Sequence, residues 1–351
     1  MKALLFYPNE SSFIRVDQKI LGEFLALKSI CLSQAQGRWA YLKALLGIMP
    51  KILAEPEAKL CISWFADYHA FIMVMAARLF KRKSVILIGG YDAVYYPEFA
   101  YGVYHHPLRR FCATMALKYC DLIIANHAAL LSSDNRYYEP QGHPEGIFRL
   151  IPKLKTKAVV VENCLTTQPP AAVPRSRKKQ ILCVGSTPRL QDFYNKGYDL
   201  LMAAVKAFPT WNFVFVGIQA NWQEPLEEEY RLSAYPNLKI HASLPHPQVL
   251  ELMSETDIYV QASISEGMPN ALMEAMLYGC KVIGSDVAGI PTIIGDWGEI
   301  IHERSPEALL EALTRLMDQD ADRLAISQSI VSRFACERRK EELLAALKGL
   351  F

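Results

Sequence analysis

No Gly-x-Gly-x-x-Gly follows the first strand-like run, and no Gly-x-x-x-x-Gly-Lys-Ser/Thr occurs anywhere in the 351 residues. The first absence argues against a nicotinamide enzyme, because that glycine spacing lets backbone approach a pyrophosphate closely. The second removes a P-loop ATPase. The eight cysteines form no Cys-x-x-Cys pair and no Cys/His cluster at zinc spacing. Cys61, Cys183 and Cys280 sit in apolar runs, as buried thiols do. No uncharged apolar run approaches the ~20 residues of a spanning helix. Between Lys2 and Pro8 stand five apolar residues, too few for a signal peptide. The expectation is a cytoplasmic protein, peripheral at most to the inner face of a membrane. Asp318-Gln319-Asp320-Ala321-Asp322 has the look of a metal loop, yet Arg323 stands where a calcium loop needs glycine and Ser329 where it needs glutamate. It reads as helix-end capping, and no metal and no cofactor are expected.

What is present is a globular composition, 51% hydrophobic and 21% charged, with length for about two domains. The net charge of +2 hides an asymmetry. Residues 1–165 carry 20 Lys+Arg against 13 Asp+Glu, and the remainder 18 against 23. A basic first half suggests an anionic partner there, either a membrane surface or a phosphorylated acceptor. No nucleic-acid partner is expected.

Strand-like runs at 2–7, 59–63, 84–88, 121–125 and 158–163 alternate with helical periodicity at 15–30, 69–80 and 107–119. That alternation argues for a parallel sheet covered by helices on both faces. Trp39 to Leu53 is the one amphipathic stretch that could touch lipid, its alternative being a core-facing helix. A proline-rich, basic, aperiodic stretch marks a linker over 166–180 between a domain at 1–165 and a second at 181–334. The second restarts with the strand Ile181–Gly185, a polar loop, and Lys196-Gly197 opening a helix. A lysine at such a junction can neutralise a departing pyrophosphate.

The chain is organised around Ser265-Glu266-Gly267-Met268-Pro269-Asn270-Ala271-Leu272-Met273-Glu274-Ala275-Met276-Leu277-Tyr278-Gly279. Strand-like runs flank it at 257–262 and 281–285, placing the loop at a strand's carboxyl end, where open parallel sheets bind ligands. Glu274 is the one charge on an otherwise apolar helix, so burial would demand a hydrogen-bonding partner. Glu266 stands eight positions earlier, and the helix-start N–H groups between them suit an anion. The bland alternative is a solvated loop residue and an exposed helix residue.

This run resembles the donor-sugar motif of the retaining family 4 glycosyltransferases. The resemblance implies the GT-B fold, an α/β architecture of two Rossmann-like parallel-sheet domains facing a cleft. It implies a retaining, metal-independent transfer from a nucleotide-diphosphate sugar to a glycan or lipid-linked acceptor, in polysaccharide or cell-envelope synthesis. By it, Glu274 holds the ribose hydroxyls, Glu266 with Gly267, Met268, Pro269 and Asn270 holds the donor sugar, and Lys196 with Arg189 holds the diphosphate. Gly89-Gly90-Tyr91-Asp92 resembles the family's His-Gly-x-Asp segment, with Gly89 at the histidine position and Asp92 left to assist catalysis. His69 reads as a satisfied structural histidine instead. Arg15 and Asp17 are candidate acceptor or phosphate contacts. The final stretch, 335–351, is expected to cross back to the first domain. A nucleotide-sugar-binding protein of the same fold without transferase activity, or an epimerase or hydrolase, stays open.

Overall fold

The computed structural model describes residues 1–33, 37–174 and 176–351. The chain opens with β1 (Lys2–Tyr7), and Ser11 caps α1 (Ser12–Gly22) by accepting from the Ile14 N–H. α1 stops at Gly22 and the chain returns as the edge strand β2 (Ala26–Cys31), parallel to β1. The expected single helix over 15–30 is thus a helix and a strand. Its apolar residues fit either period over so short a run, and pairing with β1 decides between them. Next come α2 (Arg38–Leu46), α3 (Ile48–Leu53), β3 (Ala58–Trp64), α4 (Tyr68–Leu79), β4 (Lys83–Ile88), α5 (Pro107–Tyr119) and β5 (Leu122–Ala125). The ribbon β6 (Ser133–Asn135) and β7 (His143–Glu145), the short α6 (Ile147–Leu150) and β8 (Ala158–Val160) complete this half. The sheet order is β2-β1-β3-β4-β5-β8, every pair parallel. Alternate residues of β1 serve opposite faces, as the two-residue strand period requires. Leu4 and Phe6 pack with Leu45, Ile48, Met73 and Ala116 of α2 to α5. Ala3 and Leu5 pack with Ile14 and Leu21 of α1.

The second half repeats the plan. β9 (Lys178–Thr187) leads to α7 (Gln191–Asn195), α8 (Tyr198–Ala207), β10 (Asn212–Ile218), α9 (Gln223–Tyr230), β11 (Leu238–His241) and α10 (His246–Glu255). Then follow β12 (Thr256–Gln261), α11 (Asn270–Leu277), β13 (Lys281–Ser285), α12 (Gly289–Ile294), β14 (Glu299–Ile301), α13 (Pro306–Met317) and α14 (Arg323–Arg333). Asp322 accepts from the Ala325 N–H at the start of α14, so that part of the acidic run caps a helix. The order β11-β10-β9-β12-β13-β14 is again all parallel. The last helix, α15 (Cys336–Lys348), sets Leu343 and Leu347 against the α1 face of the first sheet.

Two compact units result. The first holds Met1–Ser133, Pro144–Thr166 and Phe334–Phe351; the second holds Asp134–His143 and Thr167–Arg333. The excursion Asp134–His143 departs from the expected first domain of 1–165. Its side chains satisfy carbonyls of the second unit: Asn135 Nδ2 donates to Ile264 O at 2.7 Å and the Tyr137 hydroxyl to Ala262 O at 3.3 Å. No helix among the described residues is long and apolar enough to cross a membrane.

Candidate donor site

In the second sheet β9 lies between β10 and β12, so the strand order reverses direction between β9 and β12. Crevices outside the carboxyl ends of strands at such a switch point are where open α/β sheets bind ligands. The loop after β9 supplies Lys196, and the loop after β12 supplies Glu266. Gly197, which follows Lys196, has φ +75°, and a Cβ there would meet Ala262 O at 2.3 Å. Only glycine lets the two loops approach this closely. The Ile264 N–H then donates to Asn195 O at 2.8 Å and ties them together.

Lys196 Nζ donates to Glu266 Oε1 at 2.6 Å, with both side chains largely buried. The same oxygen accepts from Ser263 Oγ at 2.9 Å and from Gln261 Nε2 at 3.1 Å. Oε2 has no hydrogen bond among the described residues. Tyr259 extends the network inward, its hydroxyl donating to Gln261 Oε1 at 2.8 Å. Burial first, then Cys183, then the charges of Glu266 and Glu274 push the Tyr259 phenol well above its ordinary value.

α11 starts after Pro269 with no side chain capping it, which leaves first-turn N–H groups for a ligand. Ser265 Oγ and Asn270 Oδ1 are buried beside it without a hydrogen-bond partner among the described residues. The Gly289 N–H donates to Gly267 O at 2.9 Å and holds the loop, with Met268 buried under it. Glu274 is 5% exposed, and its Oε1 accepts from the Thr167 hydroxyl at 2.8 Å and from His246 Nε2 at 2.8 Å. The demanded partners exist. Thr167, His246, Gln261 and Ser263 were not singled out in the sequence: Thr167 and His246 stand far along the chain from Glu274, and Gln261 and Ser263, though within five residues of Glu266, carry no motif of their own. Arg189 donates to Asp192 Oδ1 at 2.6 Å, three residues along the same turn. A cavity of about 670 Å³ between α9 and β11 shares no residue with this cluster.

In the first unit, Asp92 is 1% exposed and consumed by backbone. Its Oδ2 accepts from the Ala66 N–H at 2.9 Å, and Oδ1 from Gly89 at 3.0 Å and Gly90 at 3.2 Å. The expected catalytic contact is replaced by a positioning one: the carboxylate holds the strand-end turn. The Phe65 ring fills the space a side chain at Gly89 would need, 2.8 Å from an added Cβ. Asp17 is also corrected. It is 1% exposed, and Arg339 and the Trp64 indole N–H take its oxygens, so no acceptor reaches it. Arg15 stands exposed on α1. His69 is wholly buried, with Nε2 2.9 Å from Trp64 O, a structural histidine.

Burial raises the Asp92 carboxyl to about 6, against backbone hydrogen bonds that lower it. A folded value above the unfolded one means that folding binds the proton. The stabilisation is complete below the unfolded value of ~4 and lost as pH rises through about 6. Asp92→Asn turns an amide NH₂ toward backbone donors, a cost of about 1–3 kcal/mol. Its deficit against the parent, read from urea midpoints, is expected to narrow between pH 4 and 6. An unchanged deficit across that range would show that Asp92 ionises as freely folded as unfolded.

The family model "Glycosyl transferases group 1" matches residues 167–331. The gpi3 subunit of phosphatidylinositol N-acetylglucosaminyltransferase from Schizosaccharomyces pombe is 30% identical over 141 residues, 38% of this chain and 30% of that protein. The chain thus spans under a third of that relative's length. Among solved structures, sucrose-phosphate synthase from Thermosynechococcus elongatus superposes with a TM-score of 0.72 at 14% identity, covering 100% of this chain and 99% of that one. Anabaena HepE in complex with UDP and glucose gives 0.69 at 14%, covering 99% and 100%. At these identities the structures establish the GT-B fold.

Proposed function

We propose that this chain, a GT-B protein whose residues 167–331 match the glycosyl transferases group 1 family, transfers a sugar from a nucleotide diphosphate with retention of configuration. The family match and the fold support the glycosyltransferase class. One observation carries the finer reading: Lys196 and Glu266 meet at the sheet's switch point, and Glu274 is buried on the helix that follows the Glu266 loop. Glu274 holds the ribose hydroxyls. Glu266 and the Gly267–Asn270 loop orient the donor sugar, and the Lys196 ammonium faces the diphosphate. The bond from the sugar's anomeric carbon to the phosphate oxygen breaks as the acceptor oxygen bonds to that carbon on the same face. The acceptor's proton passes to the released phosphate oxygen, so charge and atoms balance. The acceptor is a glycan or a lipid-linked acceptor, in polysaccharide or cell-envelope synthesis.

Screening nucleoside diphosphates for thermal stabilisation identifies the base, because only a binder raises the melting temperature. With that nucleotide, Glu274→Ala is expected to weaken binding by about 1.5–3 kcal/mol, the range for hydrogen bonds to a charged group. Unchanged affinity by calorimetry would remove Glu274 from the ribose.

A second reading is a protein that binds the nucleotide sugar without turnover, or an epimerase or hydrolase. It is favoured by the ring of Phe65 in the space beside Gly89 and by Asp92 being committed to backbone. Binding of nucleotide sugar with no transfer to any glycan or lipid-linked acceptor would decide for it.

A further inference from the structure

We propose that the helical face of the first unit formed by α2, α3, α4 and α5 docks on an anionic lipid surface. These helices cover one face of the first sheet, with Leu45, Ile48 and Ile52 turned into its core. A second apolar stripe runs along the outside of α2 and α3. Trp39 is 79% exposed, Leu42 44%, Leu46 68%, Met49 42% and Leu53 50%. All five are exposed while Leu45, Ile48 and Ile52 between them are buried, so the outward side of both short helices is apolar. Leu79 on α4 and Leu108 and Phe111 on α5 are more than half exposed as well. α4 packs against both α3 and α5, so these side chains belong to one helical layer. Scattered exposed leucines need no explanation, but an apolar stripe of this extent with a tryptophan at its end does.

Charge selects the occupant. The four helices contain no aspartate or glutamate. Arg38, Lys43, Lys51, Arg78, Arg110 and Lys118 stand exposed among the apolar side chains. Of the bordering carboxylates, Asp67 pairs with Arg109 and Glu55 with Lys2 and Lys28, and Glu57 stands exposed against six exposed lysines and arginines. A second copy of the same face would bring like charges together, which costs rather than stabilises. An anionic bilayer offers what the face lacks. Apolar side chains enter the acyl boundary while lysine and arginine remain among phosphate headgroups. The face lies wholly in the first unit, so the proposal is independent of the sugar chemistry assigned to the second.

The test is flotation of the full chain with vesicles of phosphatidylcholine containing phosphatidylglycerol, and with phosphatidylcholine alone. Binding to the anionic vesicles is expected, with a blue shift of Trp39 fluorescence and loss as salt shortens the ~8 Å screening length. The double variant Leu46→Glu with Met49→Glu changes two exposed positions. It should keep the parent's circular dichroism and melting temperature and bind at least ~tenfold more weakly. Absence of parent binding at low salt, or equal binding by the variant, overturns the proposal. So does equal binding to neutral vesicles. A parent dimer that the variant converts to monomer would assign the face to a second copy and overturn it too.

Discussion

Arg339→Ala is expected to destabilise the first unit by about 3–5 kcal/mol, the cost of leaving one partner of a buried ion pair without the other. Arg339 is 2% exposed, at the start of α15. Its Nε and Nη2 donate to the two Asp17 oxygens at 2.6 and 2.7 Å, and Nη1 donates to Val161 O and Glu162 O at 2.8 Å. Asp17 Oδ2 accepts a third bond, from the Trp64 indole at 3.1 Å. Removing the guanidinium therefore strands a carboxylate and two carbonyls in the core. Replacing both partners, Arg339→Met with Asp17→Leu, should recover much of the loss, since an apolar pair strands no charge. Lys340→Ala, which breaks an exposed contact with Glu23, should leave the urea midpoint almost unmoved. Equal midpoints for Arg339→Ala and the parent would show that the pair holds nothing together.

The second large effect is on turnover. Lys196→Met keeps an aliphatic stem beside Gly185 and removes the charge that the proposed function sets against the leaving group. A fixed positive group acting on charge that develops in the transition state contributes on the order of 100- to 1,000-fold, about 2.7–4 kcal/mol. The expected result is that loss in kcat with a smaller change in KM, while parent turnover survives excess chelator. Parent-like turnover in the variant would sink the diphosphate assignment. A strict requirement for an added divalent ion would move the charge stabilisation from Lys196 to a metal.

The second half of the chain was readable because its signals are local. β13 spans the expected 281–285. A lone glutamate on an apolar helix demanded partners, and Thr167 and His246 supply them. Lys196 and Glu266, named separately, meet at 2.6 Å. The first half misled where two readings shared one local pattern. Residues 15–30 carry apolar spacing that a helix or a helix and a strand can satisfy, and only pairing with β1 settled it. Arg15 and Asp17 looked equivalent, two charges in a first helical turn. One is exposed, and the other is buried under Arg339.

By itself the sequence determined which residues are apolar at which period, hence the alternation of strand and helix and the parallel class of both sheets. It also placed Glu266 in the loop at a strand's end, Glu274 on the helix that follows and Lys196 at a helix start. The tertiary structure decided which charges meet. Asp17 and Arg339 are 322 positions apart, and the Cys164 thiol donates to Cys336 Sγ at 3.2 Å from 172 positions away. No local spacing encodes such pairs, because they form only when α15 closes on the α1 face of the first sheet. Whether a carboxylate binds a ligand or holds the fold depends on that closure, since burial and partner together set the cost of its charge.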